Sequence, residues 1–309
     1  MKKNYLKPNE IYCAFSEIEM YKIEPNSISL SVWSPPYNVG KDYEKGQSFE
    51  QWKAMLDGVI KAHFHVLKAG GFMIINIADI LCFPDETMPK IQIENPSLQK
   101  VKITKEEIIK AKEQYPDYNR RQLGMLLGCS EQTIDRRLHG VNIRGGKYAI
   151  QTRVQLVGNI IQDLAQKHGL YLYDRRIWKK DPSWANSKWT TSSYRSVDEF
   201  EYLYIFWKPA EIKVDKTRLT PAEWKEWGSR AVWEFPSVRA NKEHEAMFPL
   251  ELPLRCIKLF TDENDVVLDP FMGSGTTAMA CLKLNRQYIG FDKEEKYVAL
   301  AKENILNNK

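Results

Sequence analysis

Ser34-Pro35-Pro36-Tyr37 places a hydroxyl, two prolines and an aromatic ring in four consecutive residues, directly after the β-rich run Ile28–Trp33. Proline lacks an N–H and holds the residue before it in extended backbone, so this tetrapeptide is stiff and cannot continue a sheet ladder. It offers a hydroxyl, backbone carbonyls with few competing donors, and an aromatic face. One chemistry that uses such a set is alkylation of an exocyclic amine on a nucleobase. That amine is a poor nucleophile because its lone pair is delocalised into the ring. Two acceptors, one for each N–H, favour the pyramidal form whose lone pair can attack. Ser34 Oγ and the Pro35 carbonyl are the candidate acceptors, with Pro36 stiffening the turn. Tyr37 could stack on a base flipped out of a duplex, a contact worth about 1–3 kcal/mol. Read alone, the tetrapeptide is explained equally well as a rigid loop.

A second constellation lies near the other end. Asp265–Asp269 is a short buried-strand pattern that runs into Pro270-Phe271-Met272-Gly273-Ser274-Gly275-Thr276-Thr277, and a helical pattern follows over 278–284. Small residues at a strand-to-helix turn let a ligand approach the backbone, and a helix N-terminus supplies free N–H groups there. Asp292 ends the next strand pattern and is placed to accept hydrogen bonds from a ribose. Three ligand classes come into question. A nucleoside triphosphate wants Gly-Lys-Ser/Thr, and no lysine follows Gly275. A dinucleotide matches loosely through Gly273-x-Gly275-x-x-Ala278, but its second half is not expected beyond Lys309. S-adenosylmethionine needs only one mononucleotide-type half. A turn that is merely tight is the plain alternative.

The elements that must carry these turns read as α/β. Ile28–Trp33 is a strand. Apolar residues at Trp52, Leu56, Val59, Ile60, Phe64 and Leu67 recur at helical spacing over 49–67, and Gly70-Gly71 is expected to stop that helix. Phe72–Ile77 is an apolar run of strand length, which completes a βαβ unit. Strand patterns return over 170–178, 201–207, 266–269 and 288–291, while 219–243 reads as irregular. In an open α/β sheet, ligands bind at the carboxyl ends of the strands, where both turns would sit.

The middle of the chain differs. Residues 84–100 carry three prolines and no periodicity, and 101–147 is polar and helical, with ten Lys and Arg against six Asp and Glu. That excess accounts for most of the chain's net charge of +5. A first helix is expected to end at Gly128, and Ser130 can cap a second in which Ile134 and Leu138 face the first. The pattern resembles the helix-turn-helix of bacterial DNA-binding proteins, which lays its second helix in the major groove. The resemblance offers Gln132, Thr133, Arg136 and Arg137 as DNA contacts. A packed helical hairpin with a solvated charged face is the alternative. The expected organisation is therefore a catalytic part at 1–98, a helical recognition insert at 99–146, and a second catalytic part at 147–309.

Composition sets further bounds. The 309 residues are 43% hydrophobic and 28% charged, an ordinary globular balance. The five cysteines form no C-x-x-C pair, so a reduced, cytoplasmic protein is expected. No metal site is expected, since His63-x-His65 is the wrong spacing for one helical face. No apolar run approaches membrane length.

Taken together, the chain resembles the amino-group DNA methyltransferases of bacterial restriction–modification systems, in the beta arrangement. In that group an S/D/N-P-P-Y motif comes first, then the recognition region, then the cofactor motif, as Ser34–Tyr37 and Asp269–Thr277 are ordered here. Leu67–Asp79, Phe200–Pro209 and His244–Pro249 resemble further segments of the family. The resemblance implies a class I S-adenosylmethionine-dependent methyltransferase fold, a Rossmann-like seven-stranded mixed sheet with permuted motif order. It implies S-adenosylmethionine as cofactor, held around His244, Phe248, Asp269, Pro270, Phe271, Gly273, Ser274, Gly275, Thr276, Thr277 and Asp292. It implies double-stranded DNA as substrate, a restriction endonuclease acting on the same site as a possible partner, and a monomer or homodimer. Ser at the head of the motif is the form usual for N4 of cytosine, and Asp for N6 of adenine. A methyltransferase for adenine in DNA or for RNA, a DNA-binding regulator with a degenerate enzyme domain, and a nicotinamide-dependent oxidoreductase are the rivals.

Overall fold

The computed structural model describes residues 4–37, 48–85, 87–89, 103–139, 152–182, 194–212, 214–238 and 249–307. It divides into two compact units, one of residues 1–80 with 156–309 and the other Leu81–Gln155. His244 and Phe248 lie outside the described residues.

In chain order the elements are β1 (Glu10–Cys13), α1 (Ser16–Glu19), β2 (Ile28–Trp33), α2 (Phe49–Val66), β3 (Leu67–Ile77) and β4 (Ile80–Pro84). Next come α3 (Lys105–Gln114), α4 (Arg120–Leu126), α5 (Glu131–His139), β5 (Thr152–Gln155), α6 (Val157–Lys167), β6 (Tyr171–Lys179) and β7 (Phe200–Trp207). The last are α7 (Pro221–Glu223), β8 (Val232–Glu234), α8 (Glu251–Phe260), β9 (Val266–Asp269), α9 (Thr276–Lys283), β10 (Gln287–Asp292) and α10 (Glu295–Asn307).

The larger unit is built on one mixed sheet in the order β1-β10-β9-β2-β3-β7-β6-β8. Strands β1, β10, β9, β2 and β3 run parallel, and β7 is antiparallel to both β3 and β6. Central β2 is wholly buried, and its two serines are satisfied inside the sheet. Ser31 Oγ donates to the Leu268 carbonyl at 3.0 Å, and Ser29 Oγ donates to Asp265 at 2.5 Å. Burial of hydroxyls without such partners would cost about 1–3 kcal/mol each.

Three sequence expectations need correction. The sheet has eight strands rather than seven, because Val232–Glu234, in the stretch expected to be irregular, pairs in parallel with Ile177–Lys179 at the edge. Gly70-Gly71 does not stop α2, which ends at Val66; both glycines lie inside β3, where the pairing with β2 shifts register and Gly70 takes φ +79°. Phe64 is 42% exposed and His63 is buried in its place, since His63 follows Val59 by four residues on the packed face. The Lys208 ammonium covers the Phe64 ring at 4.6 Å from its centroid.

His63 is a core residue. Burial lowers its pKa to about 4, and its ring nitrogens lie 2.8 Å from the Val59 carbonyl and 2.8 Å from Ser31 Oγ. Among the described residues no helix is long and apolar enough to cross a membrane.

The smaller unit holds α3, α4 and α5 with the two-stranded β4–β5 sheet. Ile134 is fully buried with Ile108, Ala111 and Leu123, and Leu138 packs against that cluster. Ser130 Oγ accepts from the Thr133 N–H at 3.2 Å, and Gly128 takes φ +61° in the turn between α4 and α5.

Candidate active site

Strand pairing brings the two turns together. Ser31 of β2 pairs with Leu268 of β9, so Ser34 and Phe271 leave neighbouring strands at the same edge of the sheet. The Trp33 and Phe271 rings lie 5.4 Å apart. Residues more than 230 positions apart in sequence thus form one site.

The Ser-Pro-Pro-Tyr turn is held from two sides. Trp52 Nε1 of α2 donates to the Pro36 carbonyl at 2.6 Å. The Ser34 hydroxyl donates to Tyr37 Oη at 3.1 Å, and the Tyr37 hydroxyl donates to Glu201 Oε2 at 2.7 Å. Lys180 Nζ donates to the other oxygen, Glu201 Oε1, at 2.5 Å and lies 3.8 Å from Asp198. Glu201 is 7% exposed at the start of β7, one residue beyond the Ile77–Tyr202 pair. Burial raises the Asp198 pKa, Lys180 opposes that shift, and the charge of Glu201 adds to it. Sequence reading missed Glu201, Lys180 and Trp52. The available signal was a carboxylate at the head of the otherwise apolar run Glu201–Trp207.

The glycine turn is set by acidic side chains. Asp269 is buried and accepts from the Phe271 N–H at 2.9 Å and the Thr277 hydroxyl at 2.6 Å. Asp292 accepts from the Gly273 N–H at 3.1 Å and the Glu294 N–H at 2.9 Å, which ties β10 to the turn. Asn304 of α10 donates to the Ser274 carbonyl at 3.0 Å. Gly273 and Gly275 take φ +51° and +89°, backbone that side chains with a Cβ rarely adopt. Pro270, Ser274 and Thr276 lie in the same turn, and Ser274 Oγ is 3.3 Å from Thr276 Oγ1.

Burial pushes the Asp269 carboxyl up to about 7, with the nearby Asp292 charge adding to the rise, while the Thr277 and Phe271 hydrogen bonds oppose it. A carboxyl raised in the folded state binds more protons there than in the unfolded chain. Its contribution to stability is therefore present at low pH and is lost as pH rises from the ordinary carboxylate range to about 7. Between pH 5 and 8 this amounts to roughly 2–3 kcal/mol. In thermal melts, Asp269→Asn should lose less stability than the wild type over that interval. Parallel pH dependences would contradict the assignment.

The expected DNA contacts Thr133, Arg136 and Arg137 lie on α5 of the smaller unit, as does Gln132 in the helix backbone. Arg137 is exposed and Arg136 partly so. Arg120 and Asp135 form an ion pair at 2.9 Å between α4 and α5.

Residues 28–303 match a protein family described as DNA methylase. The chain is 53% identical over 302 residues to the type II methyltransferase M.BglI of Bacillus subtilis, covering 98% of this chain and 87% of that one. A putative DNA modification methylase of Thermus thermophilus, solved in complex with S-adenosyl-L-methionine, aligns with a TM-score of 0.61 at 22% identity, covering 97% of this chain and 93% of that one. The cytosine-N4-specific PvuII DNA methyltransferase aligns with a TM-score of 0.61 at 16% identity, covering 98% of this chain and 92% of that one. At those identities the two structures are likenesses of fold.

Proposed function

The chain belongs to the N6/N4 DNA methylase family and has the class I methyltransferase fold, and from that premise we propose that it methylates N4 of cytosine in double-stranded DNA, with S-adenosylmethionine as methyl donor. The observation that carries the reading is the meeting of the two turns, with Trp33 against Phe271 at 5.4 Å. The turn at 269–278 fits the cofactor, since it holds the buried Asp269 and a bond to Asp292 but no lysine or arginine. That set suits a cationic sulfonium and disfavours a polyphosphate. When bound there, S-adenosylmethionine supplies an electrophilic methyl group.

The chain's own residues orient the acceptor. Tyr37, fixed by its hydroxyl, presents its ring for stacking with a flipped base. Ser34 Oγ and the Pro35 carbonyl accept the two amine N–H bonds, and Asp292 receives the ribose of the cofactor. Holding amine and methyl group in one orientation would supply much of the rate. Ser34 at the head of the turn favours cytosine over adenine. Mass spectrometry of nucleosides from DNA treated with the protein and labelled cofactor decides between them. N4-methylcytosine supports the reading, and N6-methyladenine replaces it with the adenine one. A restriction endonuclease acting on the same sequence is the partner such an enzyme would protect DNA against.

On the same reading, the helical module contacts DNA through α5. Arg136→Ala with Arg137→Ala should weaken binding to duplex DNA about tenfold at moderate salt and flatten the salt dependence by one to two counterions (roughly 0.9–1.8 in log–log slope). Unchanged affinity and slope in a fluorescence titration would remove α5 from the DNA interface.

A further inference from the structure

The hydrogen bonds from Ser34 to Lys180 form a chain with one direction. Glu201 takes a proton donor on each oxygen, from Lys180 Nζ at 2.5 Å and from Tyr37 Oη at 2.7 Å. An ionised carboxylate only accepts. The single proton of the Tyr37 hydroxyl is therefore committed to Glu201, and Tyr37 Oη can meet Ser34 Oγ, 3.1 Å away, only as an acceptor. Ser34 must then point its own proton at Tyr37. With its proton given to Tyr37, Ser34 Oγ can meet a further group only through its two lone pairs, as an acceptor. A serine hydroxyl in isolation rotates and can donate as readily as it accepts. Here a buried acid two bonds away removes that freedom.

We infer that Glu201, clamped by Lys180, is a positioning residue that makes Ser34 an obligate hydrogen-bond acceptor for the substrate amine. The inference rests on the methyltransferase reading above, in which Ser34 Oγ receives an amine N–H. Its reach is sharper than that reading, because it assigns the polarity of Ser34 to a residue 164 positions from Tyr37 on another strand. A preorganised acceptor needs no reorientation when the amine pyramidalises, which is where such groups gain their effect.

Replacement of Glu201 by glutamine reverses the chain rather than merely breaking it. The introduced amide cannot place its NH2 against the Lys180 ammonium, since both are donors, so its oxygen turns to Lys180 and its NH2 to Tyr37. Tyr37 Oη then accepts and donates onward to Ser34, which takes up one Ser34 lone pair and leaves the Ser34 proton to compete with the other for the place facing the substrate amine. Tyr37→Phe only cuts the chain and leaves Ser34 free to rotate, with the ring kept for stacking. Among the described residues, the charged and titratable groups facing Glu201 include Lys180 beyond the end of β6, Tyr37 in the turn after β2, and Asp198 ahead of β7.

The test uses the full chain, tritiated S-adenosylmethionine and unmodified phage genomic DNA, with single-turnover rates and cofactor affinity measured for each variant. Glu201→Gln should lower the rate about 10²-fold with cofactor affinity unchanged. Tyr37→Phe should cost about tenfold. In the Tyr37→Phe background, Glu201→Gln should have no further effect, because the hydroxyl that transmits the reversal is gone. A Glu201→Gln rate within twofold of wild type, or an equal loss in both backgrounds, would overturn the inference. If Glu201→Gln fails to fold, Tyr37→Phe alone still decides, since it leaves the Glu201–Lys180 pair intact; a rate within twofold of wild type overturns the proposal. A wild-type chain that moves no label to DNA would sink the methyltransferase reading itself and take this inference with it.

Discussion

Ser34→Ala is expected to bind S-adenosylmethionine with wild-type affinity and to lose methyl transfer by about 10²–10³-fold, the range for removing one preorganised polar group from a reacting centre. The structure separates the two effects. Among the described residues Ser34 Oγ makes one hydrogen bond, to Tyr37 Oη, while Tyr37 remains anchored to Glu201 and Pro36 remains anchored to Trp52. Loss of that hydroxyl should therefore cost only about 1 kcal/mol of stability and leave the turn in place. Among the described residues Ser34 makes no side-chain hydrogen bond to the glycine turn, whose side-chain support comes from Asp269, Asp292 and Asn304. Calorimetric titration of the cofactor and single-turnover methylation of duplex DNA measure the two quantities independently. A variant within threefold of wild-type turnover would show that Ser34 does not hold the amine. Weakened cofactor binding would place Ser34 in the wrong part of the site.

Gly275→Val should show the opposite profile, with cofactor binding lost along with stability. Gly275 sits at φ +89°, immediately before α9. A Cβ built there meets Ala301 of α10 at 3.1 Å from its Cβ, 3.2 Å from its Cα and 3.3 Å from its carbonyl oxygen. Two of those atoms are backbone, so α10 cannot rotate a side chain out of the way. Left-handed backbone for a β-branched residue costs about 1–3 kcal/mol, and overpacking of this kind costs about as much again. The turn can relieve the clash only by moving away from α10, which shifts the Gly273 N–H off Asp292. The expected result is a fall in melting temperature together with cofactor affinity weakened at least tenfold, about 1.4 kcal/mol. Gly275→Ala carries less of the strain and should fall between. Titration at a temperature where the variant is folded by circular dichroism keeps the two effects apart. Unchanged affinity in a folded variant would move the cofactor away from this turn.

The two turns were legible because each is a local statement. Proline fixes its own φ and the conformation of its neighbour, so Ser34–Tyr37 announces a stiff stop after a strand whatever surrounds it. Glycines between a buried-strand pattern and a helical one announce a turn with positive φ, which Gly273 and Gly275 adopt. Capping chemistry is equally local: Ser130 could be assigned to the start of a helix from its own position, and its hydroxyl does accept the Thr133 N–H.

Where local signals compete, the sequence misled. Gly70-Gly71 reads as a helix stop, but the same freedom of φ serves a register shift within β3, and only the pairing of Leu30 with Phe72 shows which use is made. The helical spacing that includes Phe64 also includes His63 one residue earlier. Burial went to His63 because hydrogen-bond partners for both ring nitrogens, the Val59 carbonyl and Ser31 Oγ, are available inside the fold.

From the sequence alone came the two reactive turns, their order along the chain and the α/β alternation that supports them, since all of these rest on backbone preferences and spacing within a few residues. Tertiary structure alone decided that β9 lies beside β2, which puts Phe271 against Trp33, and that β7 runs antiparallel to β3, which puts Glu201 under Tyr37. Strand order and register are set by how the whole sheet buries its faces, a property that no short window of residues contains. The direction of the Ser34 proton, and with it the chemistry of the turn, follows from that register rather than from the four residues that first drew attention.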